Sequence, residues 1–283
     1  MVRTTSKKSV ASPKRKPKLG QNFLTDLGAA RRVVEALGDV ANRTVIEIGP
    51  GRGVLTDLLI PRAWHVIGIE LDRVMAAQLR MRYATKPNVE ILESDFVTAE
   101  FTSMVGRRPG PLHDLRPTQE ETVDVIGNLP YYITSDIILR ILELHEHIER
   151  AVIMVQREVA ERLAAQPGNR DYGLLSATTQ LFARVDNLFT LPPGAFSPPP
   201  QVHSSVVRLT MAPRLQELQV EEAPFIAFLK LAFAQKRKTL ANNLRGRYDQ
   251  AAIRAAMKAA ALRADVRAEA MSLEKTAAVF RTL

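Results

Sequence analysis

From Thr44 onward, short runs of β-branched and apolar residues alternate with stretches whose apolar residues recur at helical spacing. We predict strands over residues 44–48, 65–69, 88–92, 123–127 and 151–155. We predict helices over residues 54–59, 72–82, 134–142 and 157–165. Continuous apolar strands separated by helices are typical of a parallel sheet that is covered on both faces. The pattern therefore predicts an α/β domain.

The regular alternation of one strand with one helix ends after the fifth strand and its helix. The pattern there predicts a helix over 174–183 and two further strands over 187–191 and 204–210. Beyond Pro213 it is wholly helical, with an apolar face marked by Phe225, Leu229 and Phe233 and a stop signal at Gly246. Residues 102–121, where Pro and Gly interrupt the alternation, are predicted to be a surface excursion.

The first twenty residues are rich in Ser, Lys and Pro and contain almost no large apolar side chains. Such a segment buries too little surface to offset the entropy of ordering, so we predict a disordered basic tail. A mitochondrial presequence is the alternative, which Pro13, Pro17 and the missing apolar stripe disfavour. The predicted organisation is a tail over 1–20, an α/β domain over 21–212 and a basic helical domain over 213–283.

The composition excludes several kinds of site. Cysteine is absent, which excludes disulfides, thiolate catalysis and zinc sites with Cys ligands. No apolar run reaches the roughly 18 residues of a membrane span, and no apolar segment near Met1 resembles a secretory signal. We therefore expect a cytoplasmic protein that works without a membrane and without a metal.

The formal net charge of +9 is distributed unevenly. Residues 1–20 carry seven Lys or Arg and no acid, and residues 213–283 carry thirteen Lys or Arg against seven acids. The centre, 21–212, is mildly acidic at −4. This distribution favours a core that does chemistry and flanks that hold a polyanion. Solubilising charge without a partner is the alternative.

A glycine cluster, Gly49-Pro50-Gly51-Arg52-Gly53, follows the first predicted strand. It lies at the carboxyl edge of the sheet, where open α/β folds bind ligands. Glycines there allow a tight bend and a close approach of the ligand. A glycine-rich turn alone is weak evidence, but the GxGxG spacing disfavours the GxGxxG of a dinucleotide fold.

Two carboxylates follow the next two strands. Glu70 ends the second strand, where it can accept hydrogen bonds from ribose hydroxyls. Asp95 follows the third, where it can accept from an adenine amine beside the apolar Phe96. Taken singly, each acid is more typical of a helix cap or a solvated turn. Together with the glycine loop they predict a nucleoside-shaped slot, which S-adenosylmethionine fits.

The fourth predicted strand leads into Asn128-Leu129-Pro130-Tyr131-Tyr132. On its own, this segment is more typical of a Pro-containing turn. The segment also suits methyl transfer to an aromatic amine such as adenine N6. This nitrogen is a poor nucleophile, because its lone pair is delocalised into the ring. The Asn128 carboxamide oxygen and the Leu129 carbonyl, held rigid by Pro130, can accept both N–H groups and leave that lone pair free. Tyr131 can stack on the base, a contact worth about 1–3 kcal/mol.

These motifs resemble those of the ribosomal small-subunit rRNA adenine N6,N6-dimethyltransferases. The resemblance runs from Leu19 to about Gly246 and includes further segments in the same order: Leu19-Gly20-Gln21-Asn22-Phe23-Leu24, Gln156-Arg157-Glu158-Val159-Ala160-Glu161-Arg162, Phe196-Ser197-Pro198-Pro199-Pro200-Gln201-Val202 and Ala234-Gln235-Lys236-Arg237-Lys238-Thr239-Leu240. It implies a class I S-adenosylmethionine methyltransferase fold, Rossmann-like with a mainly parallel sheet, and a small all-α C-terminal domain.

The resemblance also implies how the cofactor is bound. Asn22 and Leu24 would close over S-adenosylmethionine, and Gly49, in one loop with Gly51, would lie beneath its methionine part. Glu70 would bind its ribose and Asp95 its adenine amine.

On the target side, the resemblance implies that Asn128 faces both the cofactor and the target amine. Phe196 would stack on the flipped adenine opposite Tyr131, although Phe-Ser-Pro-Pro-Pro alone is more typical of a stiff linker. The implied reaction places two methyl groups on each of two adjacent adenosines near the 3′ end of small-subunit rRNA. The implied partner is the small ribosomal subunit, during its biogenesis, and the implied oligomeric state is a monomer.

Lys236, Arg237 and Lys238 are our candidates for RNA contact, on a predicted helix. Three consecutive cations cover nearly the whole circumference of a helix, so one or two of them would reach phosphates and make binding salt-sensitive. A solvated face is the alternative for each of them.

The sequence departs from the family in three places, and other functions stay open. The segment between Asp95 and Asn128 is longer than usual, Asp136 follows Ser135 where a Pro is common, and His203 stands where an acid is common. The nearest alternative is the related family that methylates large-subunit rRNA and confers macrolide resistance, against which the 156–162 segment and the lysine-rich C-terminal stretch argue. A ribosome-assembly factor with secondary methylation is another, and the basic flanks disfavour a small-molecule methyltransferase.

Overall fold

A computed structural model describes residues 22–105 and 122–283. The predicted tail over 1–20 and residues 106–121 of the predicted excursion lie outside these ranges. The strands are β1 (Phe23–Leu24), β2 (Thr44–Ile48), β3 (His65–Glu70), β4 (Val89–Glu93), β5 (Val123–Asn128), β6 (Ile148–Gln156), β7 (Ala183–Leu191), β8 (Phe196–Ser197) and β9 (Ser204–Met211).

Helices lie between the strands and make up the C-terminal part. They are α1 (Leu27–Glu35), α2 (Val54–Leu59), α3 (Arg73–Arg82), α4 (Thr134–Glu143), α5 (Arg157–Ala164), α6 (Leu174–Phe182), α7 (Leu215–Leu218), α8 (Glu222–Ala232), α9 (Leu240–Leu244), α10 (Gln250–Ala259) and α11 (Leu273–Thr282). A short 3-10 turn, Tyr131–Ile133, joins β5 to α4.

The main sheet has the order β4-β3-β2-β5-β6-β9-β7. The strands from β4 to β6 are parallel, whereas β9 runs antiparallel to both β6 and β7. The chain moves outward from β2 to β4 and then returns to the other side of β2 as β5, which makes a switch point between β2 and β5. Ligands of open α/β sheets bind at the carboxyl ends of the strands beside such a point. The predicted mainly parallel α/β fold is confirmed.

The strand predicted over 187–191 begins four residues earlier, at Ala183. This strand is β7, one of the two edge strands of the sheet, and its first half carries Arg184 and Asp186, which leave no apolar signal in the sequence. Pairing with β9, in which Ala183 lies opposite Met211, extends the strand across these polar residues.

A separate two-stranded sheet joins the start of the described chain to its middle. Phe23 lies opposite Ser197 and Leu24 opposite Phe196, so β1 and β8 run antiparallel. Thr25 adds two hydrogen bonds, because its N–H and its hydroxyl both donate to the Ala195 carbonyl oxygen at 2.8 and 3.1 Å. Residues about 170 positions apart in sequence are thereby held together.

The largest cluster of buried side chains includes residues of the sheet and of the C-terminal helices. In the latter, the Phe280 ring lies 5.3 Å from the Phe225 ring and 5.4 Å from the Phe228 ring, between centroids. Of the apolar face predicted on α8, Phe225 and Leu229 are buried and Phe233 is partly buried. Within the described ranges, no helix has the length and apolar character needed to cross a bilayer.

The predicted position of Lys236, Arg237 and Lys238 on a helix is wrong. Helix α8 ends at Ala232, and the three cations lie in the connection between α8 and α9. The physical reason is a cap supplied from further along the chain. Asn243 Nδ2 donates to the carbonyl oxygens of Ala232 and Gln235, at 2.6 and 3.2 Å, and satisfies groups that a longer helix would have bonded internally.

A buried carboxylate fixes the amino end of β5. The Asp124 side chain has no solvent exposure and accepts from Arg43 Nε at 2.5 Å and from Arg150 Nε at 3.1 Å. Arg43 also pairs with the half-exposed Glu149 at 2.8 Å. Arg43 immediately precedes β2 and Arg150 lies on β6, so this network ties β5 to both of its neighbours.

Candidate active site

A cavity of about 800 Å³, including the part that is open to solvent, lies at the carboxyl ends of β2 to β5. This position is the switch point of the sheet, and the size is typical of a small-molecule site. The predicted site residues that line it are Asn22, Gly49, Gly51, Glu70, Asp95, Asn128, Leu129 and Tyr131.

The glycine loop depends on backbone conformations that other residues rarely adopt. Gly49 and Gly51 have φ of +64° and +58°. A Cβ on Gly49 would meet nothing within 4 Å, so this position is open to an approaching ligand. A Cβ on Gly51 would lie 3.0 Å from the Phe23 ring. Gly51 is therefore also needed for packing against the segment that precedes α1.

Glu70 ties the end of β3 to the glycine loop. One carboxylate oxygen accepts the Gly51 N–H and the other accepts the Asp72 N–H, both at 2.9 Å, and the residue is only 2% exposed. Each carboxylate oxygen has a second lone pair, so both can still accept a hydroxyl hydrogen. This arrangement fits the two neighbouring hydroxyls of a ribose.

Asp95 and Phe96 form the next part of the wall. Asp95 Oδ1 accepts the Val97 N–H at 2.9 Å, which orients the carboxylate. Phe96 is almost fully buried, lines the cavity and packs edge-on against Phe101 with ring centroids 6.1 Å apart. An oriented acceptor beside an apolar wall suits the amine edge and the face of a purine ring.

The Asn128 side chain is held by main chain from the beginning of the protein. Its Nδ2 donates to the Asn22 carbonyl oxygen at 2.6 Å. This contact fixes the orientation of the amide, whose Oδ1 atom is the part that can accept a hydrogen bond from a ligand. The adjacent Leu129 is buried, and its N–H donates to the Met154 carbonyl oxygen at 3.0 Å. The two predicted acceptors, Asn128 Oδ1 and the Leu129 carbonyl oxygen, thus belong to residues that are each held by a hydrogen bond.

Tyr131 begins the 3-10 turn after β5 and is partly buried. Its hydroxyl lies 2.7 Å from Ser204 Oγ. Burial raises the pKa of the Tyr131 phenol above its usual value, with the Ser204 hydrogen bond acting in the opposite direction, so the hydroxyl stays neutral. The ring can then act as an uncharged stacking surface on the cavity wall.

Comparison with known proteins identifies the family. A family model described as ribosomal RNA adenine dimethylase matches residues 12–283. The chain belongs to the ribosomal RNA adenine dimethylase family. It is 60% identical over 273 residues to a ribosomal RNA small subunit methyltransferase A of Koribacter versatilis, with 96% of each chain covered. A protein of the same name from Acidobacterium capsulatum is 54% identical, with 96% of this chain and 92% of the relative covered.

A solved structure of this class has the same fold. The 23S rRNA methyltransferase ErmE is 28% identical, with a TM-score of 0.66 over 93% of this chain and 99% of the ErmE chain. The family and the class I methyltransferase fold predicted from the sequence are therefore confirmed. Among residues 22–105 and 122–283, no group of three or more side chains could hold a metal ion.

Two of the predicted catalytic or cofactor-binding residues of this dimethylase, Leu24 and Phe196, lie outside the main cavity. Phe196 is 3% exposed and packs in a second buried cluster with Leu24, its partner across β1 and β8. Leu24 lines a smaller neighbouring cavity together with Gly49 and Asn128. The role of Phe196 as a stacking partner for the target base stays a prediction.

Several residues of the dimethylase site were missed at the sequence level. Phe23 and Tyr132 line the main cavity, and both stand beside residues that had been assigned a role. Ile137 also lines it, from the first turns of α4. Adjacency to Asn22 and Tyr131 is a signal that could have identified the two aromatic residues, whereas Ile137 resembles any other apolar helix residue.

The predicted RNA-binding residues of the dimethylase are exposed. Lys236, Arg237 and Lys238 all have exposed side chains, and Lys236 Nζ donates to the Arg170 carbonyl oxygen at 2.5 Å. Lys236 and Lys238 line a second cavity, of about 660 Å³ including open solvent, between residues 171–174 and the C-terminal helices. Their contact with RNA stays a prediction.

Glu47, on β2 beneath the glycine loop, is buried and accepts the Thr56 hydroxyl at 2.6 Å. Burial raises the pKa of its carboxyl from 4.5 to about 8. Between these pH values the unfolded chain releases this proton while the folded chain keeps it. The contribution of Glu47 to the free energy of unfolding is therefore fully present below pH 4.5 and is lost as the pH rises towards 8.

We expect the Glu47→Gln variant to lack this dependence. Between about pH 5 and 8 the wild type should lose stability relative to the variant by about 1.4 kcal/mol per pH unit. Urea unfolding at a series of pH values measures the difference. Glu161→Gln, at a half-exposed side chain, is the matched control. A constant difference between the wild type and Glu47→Gln across this range would contradict a protonated Glu47.

Proposed function

We propose that this chain transfers methyl groups from S-adenosylmethionine to N6 of two adjacent adenosines near the 3′ end of small-subunit rRNA, during the biogenesis of that subunit. The observation that carries this proposal is the Asn128 amide. Its Nδ2 is engaged by the Asn22 carbonyl and its Oδ1 is left as an acceptor, at the edge of a cavity that fits a nucleoside. The names of the most similar relatives support the small subunit as the substrate.

The cavity residues fit S-adenosylmethionine, which supplies a methyl group already activated by its sulfonium. Glu70 has one lone pair free on each oxygen for the ribose hydroxyls, and Asp95 can accept from the adenine amine beside Phe96. The open side of Gly49 leaves room for the methionine part. Asn22, which lines this cavity, and Leu24, which lines the smaller neighbouring cavity, would close over this end of the cofactor. The residues thus bind and orient, and the main catalytic contribution is alignment.

The target amine is held by two acceptors. Asn128 Oδ1 and the Leu129 carbonyl oxygen each accept one N–H of the adenine amine, which favours a pyramidal nitrogen with its lone pair directed at the methyl group. The adenine has to leave its stack, at a cost of a few kcal/mol, and stacking on Tyr131 offsets part of that cost. A strong general base is not needed, because the methylated amine is acidic enough to lose its proton to solvent.

The basic segments attract the substrate. The exposed Lys236, Arg237 and Lys238 lie on a turn, so their side chains can point in similar directions, which three consecutive residues of a helix cannot. Phosphate contacts of this kind make affinity fall steeply as salt is raised. We propose a monomer that works in the cytoplasm, where immature small subunits are available.

The test uses small and large ribosomal subunits from a strain that lacks this methylation. Each is incubated with the protein and methyl-labelled S-adenosylmethionine, and the digested rRNA is analysed for methylated adenosine. We expect dimethyladenosine in small-subunit rRNA alone. Label in large-subunit rRNA alone would instead assign the chain to the resistance-type activity. Binding of the cofactor and of small subunits without any label would refute the proposed catalysis and leave an assembly role.

A further inference from the structure

The hydroxyl contact between Tyr131 and Ser204 joins the cavity wall after β5 to the start of β9, which lies two strands away in the same sheet. Tyr131 follows β5, whereas Ser204 is the first residue of β9, 73 positions later in the chain. The two oxygens are 2.7 Å apart, a normal distance for a hydrogen bond between hydroxyls. No step of the proposed methyl transfer uses Ser204, so this buried hydroxyl has no role so far.

Ser204 is fixed on both sides. It lies opposite Gln156 on β6 and opposite Leu191 on β7, and it is only 1% exposed. A residue paired within a sheet on both sides has a backbone with little freedom to move, so its hydroxyl is attached at a fixed point.

The turn that carries Tyr131 does not by itself fix an aromatic ring. Tyr132, the next residue of the same turn, also lines the cavity and is 58% exposed. Within the described residues its hydroxyl has no hydrogen-bond partner, in contrast to that of Tyr131. The difference between the two rings is therefore the anchor on β9.

We propose that Ser204 is a positioning residue, whose hydroxyl holds the Tyr131 ring in the orientation that stacks on the target adenine. The inference rests on the proposed function, because the stacked base is the adenine that is methylated. A ring already held in place does not have to be ordered when the base arrives, and small misplacements of a positioning group are costly for transfer. Ser204 is not among the residues that line the cavity, so we expect cofactor binding to be unchanged when its hydroxyl is lost.

A double-mutant cycle tests the proposal. The variants are Ser204→Ala, Tyr131→Phe and the two combined, each assayed for methylation of small subunits and for cofactor affinity. We expect each single change to lower kcat/KM for the subunit about three- to tenfold, as is typical for the loss of one hydrogen bond, without changing cofactor affinity. The double variant should be no slower than either single variant, and Ser204→Thr, which keeps the hydroxyl, should recover most of the activity.

The chain supplies a matched control in Ser205→Ala. Ser205 is equally buried and adjacent on β9, but its Oγ lies 3.4 Å from Thr190 Oγ1, away from Tyr131. We expect wild-type kcat/KM from this variant. Additive losses in the double variant, or an equal loss in Ser205→Ala, would overturn the proposal and leave a general packing role.

A measurement without RNA separates this inference from the proposed function. The χ1 rotamer population of Tyr131, measured by NMR from three-bond couplings on protein labelled at tyrosine, should become more averaged in Ser204→Ala and stay at the wild-type value in Ser205→Ala. Unchanged couplings in Ser204→Ala would refute the anchor even if the wild type methylates small subunits. More averaged couplings in Ser204→Ala of a protein that methylates no subunit would refute only the proposed substrate.

Discussion

Replacing Asn128 by alanine is expected to reduce methyl transfer by about two to three orders of magnitude. The loss is of the size seen when an enzyme loses one preorganised hydrogen-bonding group directed at its reacting atoms. Two contacts disappear together, namely the acceptor for the target amine and the donor to the Asn22 carbonyl. Single-turnover labelling of small subunits measures the effect, with subunit binding followed separately.

Two further variants sharpen this result. Asn128→Asp keeps an acceptor oxygen but cannot donate to the Asn22 carbonyl, so we expect an activity between those of the wild type and of Asn128→Ala. Asn242→Ala removes an exposed asparagine of α9 and should leave the rate unchanged. A loss of less than tenfold in Asn128→Ala would mean that the amide is not the acceptor on which the mechanism depends.

Removing the Asp124 carboxylate should have the largest effect on stability. Asp124→Ala leaves Arg43 and Arg150 facing each other without the buried anion between them, and we expect a loss of about 3 kcal/mol. Urea unfolding should show a lower midpoint with an unchanged slope. The matched control is Glu149→Ala, which removes a carboxylate that is 47% exposed from the same network. It should cost less than about 1 kcal/mol.

The comparison of these two variants is decisive because both carboxylates contact Arg43. Similar losses would mean that burial of Asp124 does not govern the stability of the network. A loss of stability confined to Asp124→Ala would show that the buried ion pairs of Asp124 with Arg43 and Arg150 hold the amino end of β5 in place. This matters for the site, because Asn128 lies four residues further along the same strand.

The cofactor side of the site could be predicted because it depends on local patterns. The strand at 44–48 and the helix at 54–59 were predicted with the observed bounds, since an apolar run, a glycine turn and a helical pattern follow one another there. Carboxyl ends of parallel strands meet at one edge. Gly49, Glu70, Asp95 and Asn128 were therefore expected around one cavity, and the structure brings them together.

The target side could not be predicted in the same way, because it depends on contacts between distant segments. Nothing near Ser204 in the sequence indicates that it meets Tyr131. The burial of Phe196 follows from its pairing with Leu24, which no local pattern encodes. The end of α8 was missed for a similar reason, since its cap comes from Asn243, eleven residues beyond Ala232.

The pairing of β1 with β8 also has a consequence for the order in which the protein is made. Thr25 emerges from a translating ribosome 170 residues ahead of Ala195, its hydrogen-bond partner. At roughly 5–20 residues per second, this interval lasts about 9 to 34 s. Throughout that time β1 has no strand to pair with. A nascent chain halted before residue 195 contains Asn22 and Asn128 but lacks the partner of β1. If Asn22 and Leu24 close over the cofactor as we propose, cofactor retention should begin only when β8 has been synthesised.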